Sequence, residues 1–191
     1  MRRITLTLIA IAVATATCTV KAQDEAQMKA WMDYMTPGEV HKMISSWDGT
    51  WTADISMWMA PGTEATKSTG TATNKMALGG RYQTGTYTGN FGGMPFEGMS
   101  LVGYDNSKKV FESVWVDNMG TGVMHLSGPW DAKTKTITLS GKMLDAMSGK
   151  EVTVRETMQI VDDNTQIMSM YAPGPDGKEY KSMEIRYTRK K

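Results

Sequence analysis

Two carboxylates lie on strand patterns whose other residues are apolar, which makes them the first candidates for chemistry. Glu156 alternates with two valines, a methionine and an isoleucine, and Glu112 alternates with three valines. A carboxylate on an apolar face must be paired with a cation, held neutral, or open to a wet cavity. We therefore expect each to form an ion pair between neighbouring strands or to contact a polar ligand. Four arginines are available as partners: Arg81, Arg155, Arg186 and Arg189.

Aromatic side chains could complete a pocket around these charges. Tyr104 and Trp115 lie in the middle of predicted strands, where they either pack in a core or line a cavity. The resulting hypothesis is a small-molecule site in the interior of the fold. Its candidate residues are Arg81, Tyr104, Glu112, Trp115 and Glu156.

The two histidines suggest different roles. His41 lies beside the apolar stripe of a predicted helix, where a hydrogen bond to the backbone near the closed end of the fold is its expected role. His125 shares a strand face with Val123 and Ser127 and could ligate haem if that face turned inward. Neither histidine has a second ligand at a spacing typical of metal sites. A hydrolase or isomerase using Glu156 or Glu112 with either histidine is the alternative to a binding protein.

Methionine is the most unusual feature of the composition. The chain has 18 methionines, and residues 23–191 hold 17 of them against five leucines. Methionine can replace leucine as an adaptable core residue, whereas a cluster of thioethers would bind copper(I). The pairs Met57/Met59 and Met168/Met170 each place two sulfurs on one strand face. Because the methionines are spread over all predicted elements, we favour core packing and predict no metal or cofactor.

Charge and cysteine content exclude several classes. The net charge of +1 over 191 residues argues against nucleic acid or an anionic membrane as the main partner. A single cysteine cannot form a disulfide framework or a cysteine-built zinc or iron–sulfur site. The sequence contains no nucleophile elbow, phosphate-binding loop or dinucleotide fingerprint.

The first 22 residues have the pattern of a cleaved secretory signal. Two arginines precede a short apolar run, and Val20-Lys21-Ala22 places small residues where signal peptidase reads them. Lipid attachment at Cys18 is the less favoured alternative, because the residues before it do not fit that motif. A mature chain from Gln23 would have 18 basic and 20 acidic residues, and we expect it to be periplasmic or secreted, without membrane attachment.

The mature chain divides into a helical segment and a strand-rich domain. Residues 23–47 have helical spacing and are expected to pack on the domain as a plug; Thr36 is the predicted N-cap of a second helix, with Glu39 completing a capping box. Residues 48–191 change to a period of two, and nine turn signals separate ten extended runs. Without helical crossovers the strands should be antiparallel. We predict one up-and-down β-barrel of about ten strands, with a two-sheet sandwich as the alternative.

Several short motifs lie along about residues 35 to 190. The Gly49-x-Trp51 motif at the start of the first strand is similar to the one in lipocalins and other calycins, where the tryptophan packs across the closed end. The further motifs are Pro37-Gly38-x-x-His41, Pro61-Gly62, Leu78-Gly79-Gly80-Arg81-Tyr82, Phe96-x-Gly98, Gly103-Tyr104-Asp105, Trp115-x-Asp117, Gly120-Thr121-Gly122, Pro175-Asp176-Gly177-Lys178-Glu179 and Met183-Glu184-x-x-Tyr187-x-Arg189. Together they resemble those of a bacterial lipocalin-like family, domain of unknown function 1579. The resemblance implies a calycin-type barrel with Trp51 at the closed end, and it implies no reaction.

The sequence as a whole favours an exported barrel that holds a small apolar or amphipathic ligand in its interior. Eight to ten strands leave just enough room for side chains or one small ligand. The alternatives are the enzyme described above and a filled barrel that acts through its outer surface. The identity of the ligand and the oligomeric state are left open.

Overall fold

The structure is a computed structural model that describes residues 23–146 and 148–191. The predicted signal peptide and Cys18 lie outside the described residues. Residues 23–35 form helix α1, which belongs to a unit separate from the compact unit Pro37–Lys191. The packing of residues 23–36 on the barrel therefore stays a prediction, and the compact unit begins at Pro37 rather than at residue 48. Within the described residues, no helix has the length and apolar character needed to cross a membrane.

The compact unit consists of one short helix followed by strands. Its elements are α2 (Glu39–Ser45), β1 (Gly49–Met57), β2 (Thr66–Ala77), β3 (Tyr82–Phe91), β4 (Met94–Asp105), β5 (Val110–Asp117), β6 (Met124–Gly128), β7 (Trp130–Asp131), β8 (Thr136–Asp145), β9 (Lys150–Asp162), β10 (Thr165–Pro173) and β11 (Glu179–Arg189).

The strands close into the predicted antiparallel barrel. Their order is β6-β5-β4-β3-β2-β1-β11-β10-β9-β8, the short β7 pairs with β8, and β6 pairs with β8 to complete the circle. Closure gives every long strand two neighbours, so that no long edge is left unpaired. The ten-stranded prediction is confirmed, and the sandwich alternative is wrong because all strands belong to one sheet.

The strand register identifies the interior face. Directly paired residues of antiparallel strands point to the same side of a sheet. Trp51 pairs with Ala72, Ala72 with Tyr87, and Tyr87 with Gly98, and the first two of these residues are almost completely buried. The same argument places Glu156 inside, since it pairs with the buried Leu139 and alternates with the buried Val154.

The two ends of the barrel differ. At the end where β1 begins, Ile44 of α2 and the following Trp47 join a buried cluster with side chains from the strands; we call this the closed end. Its other fully buried members are Phe111, Leu126, Ile137, Leu139 and Val154. At the opposite end, which we call the mouth, β1 ends at Met57 and β2 begins at Thr66.

Helix α2 begins differently from the prediction. Gly38 is the N-cap, and its backbone N–H donates to Nδ1 of His41 at 3.0 Å. The hydroxyl of Thr36 instead donates to the carbonyl of Met32 at the end of α1. The predicted Thr36 cap is therefore wrong, because the helix starts at Glu39, two residues later than Pro37 suggested, and a histidine side chain serves the N-cap amide.

Candidate functional site

The closed end is held by Trp51 and the residues around it. Trp51 is 1% exposed, and its Nε1–H donates to the carbonyl of Trp47 at 3.0 Å. The guanidinium of Arg189 lies 4.1 Å from the centre of the indole ring and also bonds the carbonyls of Ser46 and Asp48. Trp51 and Arg189 thus tie the loop after α2 to the start of β1 and the end of β11, which lie side by side at the closed end. This is the packing that the resemblance implied for Trp51.

His41 is also buried at the closed end. Its ring meets Tyr104 edge-on at 6.1 Å, and it is hydrogen-bonded to the backbone of Tyr104. Burial lowers the pKa of His41, which outweighs the opposing effect of that hydrogen bond. The neutral ring can accept from Gly38 through one nitrogen while the other interacts with Tyr104, which is a structural role.

The central part of the barrel interior, between the closed end and the mouth, combines a second buried cluster, which includes Ala72, Met168 and Tyr187, with side chains that keep some accessible surface. Several inward-facing side chains at this level are only half-buried, although the same face is sealed at the closed end. We call this group the central lining; it consists of Tyr87, Trp115, Glu156, Met170 and Met183. Methionine is flexible and unbranched, so that this wall can adapt to a guest's shape.

Glu156 is the charged member of the central lining. It receives no hydrogen bond and forms no ion pair with any described residue, and burial is the one cause that raises its pKa to about 7. The residue is half-buried by its accessible surface and yet strongly desolvated. The part of its surface that stays accessible therefore faces the enclosed interior of the barrel rather than open solvent. The carboxyl group is then close to half-ionised at neutral pH.

Aromatic rings converge on the same region from three strands. The rings of Tyr87 and Trp115 meet at 4.8 Å, and those of Tyr87 and Tyr187 at 6.5 Å. Burial raises the pKa of both tyrosines, and the charge of Glu156 raises each further. The strand register turns both phenols toward the same interior as the carboxyl group, Tyr87 from β3, across the barrel from β9, and Tyr187 from β11. The region therefore combines one carboxyl with three aromatic rings.

Methionines surround this region on the interior face. The inward-facing ones between the closed-end cluster and the mouth are Met57, Met124, Met143, Met158, Met168, Met170 and Met183, and of these only Met168 is fully buried. The fully buried closed-end cluster, in contrast, contains no methionine among the described residues. Methionines nonetheless surround that cluster, so that thioethers replace leucine along most of the interior; those packed against it are Met43, Met76, Met124, Met143 and Met158.

The predicted inward position of Glu112 is wrong. It alternates with the fully buried Phe111 and lies on the outer face of β5, where it contacts His125 at 2.7 Å and Lys108 at 3.1 Å. His125 is exposed on the outer face of β6, so the haem hypothesis loses its inward-facing ligand. The one carboxylate–histidine contact in the described residues is this surface pair, and neither histidine faces Glu156.

Two other predicted ligand residues belong to the closed end. Tyr104 faces inward but packs edge-on against Phe111 at 5.3 Å, beneath α2. Arg81 lies in the turn after β2 and donates to the carbonyls of Leu78 and Gly79. Of the five candidates, only Trp115 and Glu156 are brought together in the central lining.

None of the four candidate arginines pairs with Glu156. Arg155 is on the opposite face of β9 and binds Glu179 through two hydrogen bonds, of 3.0 and 2.6 Å. Arg189 is committed to the closed end, and Arg186 is exposed on the outer face. The predicted ion pair of Glu156 is therefore absent among the described residues.

The methionine pairs considered for copper(I) have different environments. Met168 and Met170 face inward on β10, whereas Met59 follows β1 and is 77% exposed. In the part of the chain that the structure describes, no group of three or more histidine, cysteine or carboxylate residues is arranged to hold a metal ion. Copper(I) binding by thioethers alone stays the less favoured alternative, and core packing stays the prediction for the methionines.

Gly98 gives the ring of Trp115 its position. A Cβ atom at residue 98 would lie 2.6 Å from Cζ2 and 2.7 Å from Cη2 of the indole. We expect Gly98→Ala to displace the ring, shift its fluorescence and lower the free energy of unfolding by about 1 to 3 kcal/mol. Gly120→Ala is the matched control, because a Cβ atom there meets nothing within 4 Å. Unchanged fluorescence and stability in Gly98→Ala would contradict this packing.

The residues missed by the sequence reasoning are Tyr87 and Tyr187. Tyr87 lies between Gly85 and Gly89, which share its inward face and leave space around a large ring. That alternation of glycine and tyrosine was a readable signal. Tyr187 alternates with Ile185 and Arg189, so its inward direction follows from the strand period, but its place two strands away from Glu156 depends on the order of β11, β10 and β9 in the sheet.

Two recesses lie outside the central lining. One, of about 490 Å³, is lined only by residues of α1, and one of about 360 Å³ lies at the mouth between the ends of β1, β2 and β3. Glu156 is not among the residues that line either recess. The first is a groove along a single helix, and the second could serve as an entrance on the mouth side.

Comparison with known proteins supports the fold and the family. Residues 36–189 match the family model DUF1579, described as a protein of unknown function. The crystal structure of Rv2717c from M. tuberculosis is similar with a TM-score of 0.61 and 13% sequence identity, covering 82% of this chain and all of that one. A redesigned β-barrel is more distant, with a TM-score of 0.44, 10% identity and coverage of 78% of this chain and 95% of that one. No curated protein matches the chain.

Proposed function

We propose that this chain, which belongs to the DUF1579 family of proteins of unknown function, binds a small apolar or amphipathic ligand inside its barrel. The family assignment and the barrel fold bring no activity with them, since likeness of fold does not determine function. The proposal depends on the interior itself. The calycin-type resemblance is compatible with it.

One observation supports the proposal above the others. The inward-facing side chains of the central lining retain accessible surface, although each lies in the middle of a strand and the same face is fully buried at the closed end. The inward-facing neighbours Ala72, Met168 and Tyr187 are buried, so the accessible surface at this level is confined to the central lining. A barrel filled completely by its own side chains would bury these residues as well. An incompletely filled, mostly apolar interior with a few polar groups has the composition of a small-molecule site.

The residues of the lining favour an amphipathic guest. Met170 and Met183 offer apolar surface, whereas Glu156 and the tyrosine hydroxyls offer polar contacts. The hydroxyl of Tyr87 lies 3.4 Å from Oγ of Ser100, so this corner also has a neutral hydrogen-bonding pair. A molecule with an apolar body and one polar group would satisfy both kinds of surface.

A larger side chain placed in the central lining should weaken ligand binding. We expect the uncharged fluorescent probe N-phenyl-1-naphthylamine to bind the purified protein saturably, and Met183→Trp to weaken that binding at least about tenfold by occupying the space. Met99→Trp is the matched control, because Met99 is 57% exposed on the outer face of β4. Binding of the probe would be followed by its fluorescence, and the fold of each variant by circular dichroism.

The outcomes separate an interior site from a surface site. Equal probe affinity in wild type, Met183→Trp and Met99→Trp would contradict an interior site, as would the absence of saturable binding to the wild type. If Met183→Trp fails to fold, Met170→Phe adds less volume at the residue paired with Glu156 and gives the same test.

A further inference from the structure

The carboxyl group of Glu156 is exceptional because no cation among the described residues balances its charge. Buried carboxylates are normally paired, and the basic residues nearest along the sequence are engaged elsewhere: Arg155 binds Glu179 on the outer face. Two neutral phenols face the same interior as Glu156: Tyr87 from β3, across the barrel from β9, and Tyr187 from β11, two strands away from β9. Among the described residues, no lysine, arginine or histidine is close enough to influence its ionisation.

The aromatic rings on the interior face also favour a positively charged guest. The centre of the Trp115 ring lies 4.8 Å from that of Tyr87 and 6.3 Å from that of Phe96. The face of an aromatic ring carries negative partial charge and attracts organic cations, most strongly for tryptophan. The indole N–H of Trp115 donates to the carboxylate of Asp117 at 2.7 Å, on the mouth side of the ring. This hydrogen bond fixes the orientation of the ring and brings no positive charge near Glu156.

An anionic guest would meet an unfavourable environment. It would face a carboxyl of its own sign and the negative faces of the rings, without any described cation to pair with. A neutral guest would leave the ionised carboxylate desolvated and unpaired, which is costly. A cationic guest removes that cost, because it supplies the missing charge and favours contact with the rings.

We propose that the ligand is an amphipathic organic cation, an alkyl or aryl amine or ammonium compound, whose charged group lies between Glu156 and the rings of Tyr87, Trp115 and Tyr187. Its apolar part then contacts the inward-facing methionines, among them Met170 and Met183. This inference depends on the proposed function, because it names the class of ligand that the interior site takes.

The test compares three ligands with the same ten-carbon chain and different head groups. Decyltrimethylammonium, decanol and decanoate would each be titrated into the purified protein at pH 8, by calorimetry and by displacement of N-phenyl-1-naphthylamine. We expect the ammonium compound to bind at least about tenfold more tightly than decanoate, with decanol between them. The permanent charge of decyltrimethylammonium removes any titration of the ligand itself.

Glu156 variants test whether the carboxylate causes this preference. Glu156→Gln should lose about tenfold in affinity for decyltrimethylammonium while keeping its affinity for decanol, and Glu156→Asp should retain part of the preference. Glu112→Gln is the matched control, since that carboxylate lies on the outer face beside His125. The wild type should bind the ammonium compound about fivefold more weakly at pH 6 than at pH 8, as the carboxyl becomes protonated and the residual affinity approaches that of Glu156→Gln.

Each outcome bears on one of the two proposals. If the neutral probe and decanol bind but decanoate binds as well as the ammonium compound, or if Glu156→Gln keeps the preference, the cation proposal is wrong and the interior site stands. If neither the probe nor any of the three ligands binds, the proposed function fails, and the cation proposal with it.

Discussion

Replacing Trp51 with alanine should lower the free energy of unfolding by about 3 to 5 kcal/mol, which is a large part of the stability of a domain of this size. The residue is almost fully enclosed, with 1% of its surface exposed. Truncation would leave a cavity of nearly an entire indole ring beneath α2. It would also remove the donor to the carbonyl of Trp47 and the ring that Arg189 covers.

The substitution Trp51→Phe separates these contributions. Phenylalanine keeps most of the apolar volume and loses the N–H, so we expect a smaller loss of about 1 to 3 kcal/mol. Trp31→Ala is the control, because Trp31 is 60% exposed on α1 and should change stability by no more than about 0.5 kcal/mol. The measurement is urea-induced unfolding followed by circular dichroism. Comparable losses in Trp51→Ala and Trp31→Ala would contradict the closing role of Trp51.

The fold could be predicted because the signals for it are local. Strands of period two, separated by glycine-, proline- and asparagine-rich turns, leave few arrangements that protect every edge. The position of Trp51 could be predicted for a similar reason, since Gly49-x-Trp51 directly follows the helix that covers it. Closure by β6 and β8, with the two-residue β7 beside them, is not visible in any local pattern.

The candidate site was harder to predict, because inside and outside are not distinguished by hydrophobicity alone. On β5 the outer face carries valines and Glu112, whereas the inner face carries Phe111, Ser113, Trp115 and Asp117. The more uniformly apolar face is the outer one, and the alternation therefore assigned Glu112 to the wrong side. The bulky aromatic residues were the better indicator, since large rings fill an interior. On β9 the inner face is the more apolar one, so the alternation placed Glu156 on the correct side.

The chemistry around Glu156 depends on contacts across the barrel. Tyr87 and Tyr187 are 69 and 31 residues away from it in sequence. No spacing rule along the sequence predicts which side chains meet in the interior of a barrel. The aromatic surroundings of the carboxyl group could therefore not be derived. The absence of a cationic partner for Glu156 could not be derived from the sequence either. Arg155 is its immediate neighbour in sequence, but the strand period places the two side chains on opposite faces of β9.

The second large effect concerns pH. Burial raises the pKa of Glu156 from 4.5 to about 7 in the folded protein, so folding favours the protonated form. The full stabilising contribution of that form is present below pH 4.5, is lost progressively as the pH rises from 4.5 to 7, and is absent above pH 7. The shift corresponds to on the order of 3 kcal/mol, and because Glu156 is only half-buried we expect about 1 to 3 kcal/mol to be measured.

Glu156→Gln should therefore be more stable than the wild type at pH 8 by about 1 to 3 kcal/mol, with the difference shrinking toward pH 5. Glutamine keeps the size of the side chain and cannot ionise, so the pH-dependent difference between the two proteins isolates this one carboxyl. Urea unfolding at pH 5, 6, 7 and 8 gives the comparison, without added ligand. Glu151→Gln is the control, since that carboxylate is exposed and pairs with Lys142 at 3.5 Å.

The sign of this difference decides the role of Glu156 in the fold. A carboxylate held in a structural ion pair would make Glu156→Gln less stable at pH 8, because the substitution would leave the cationic partner unpaired. That result would contradict both the missing counter-charge and the cation-binding proposal. A gain in stability would mean that the barrel retains a group that costs it folding free energy at neutral pH. Such a cost is expected where a charge is kept for a ligand rather than for packing.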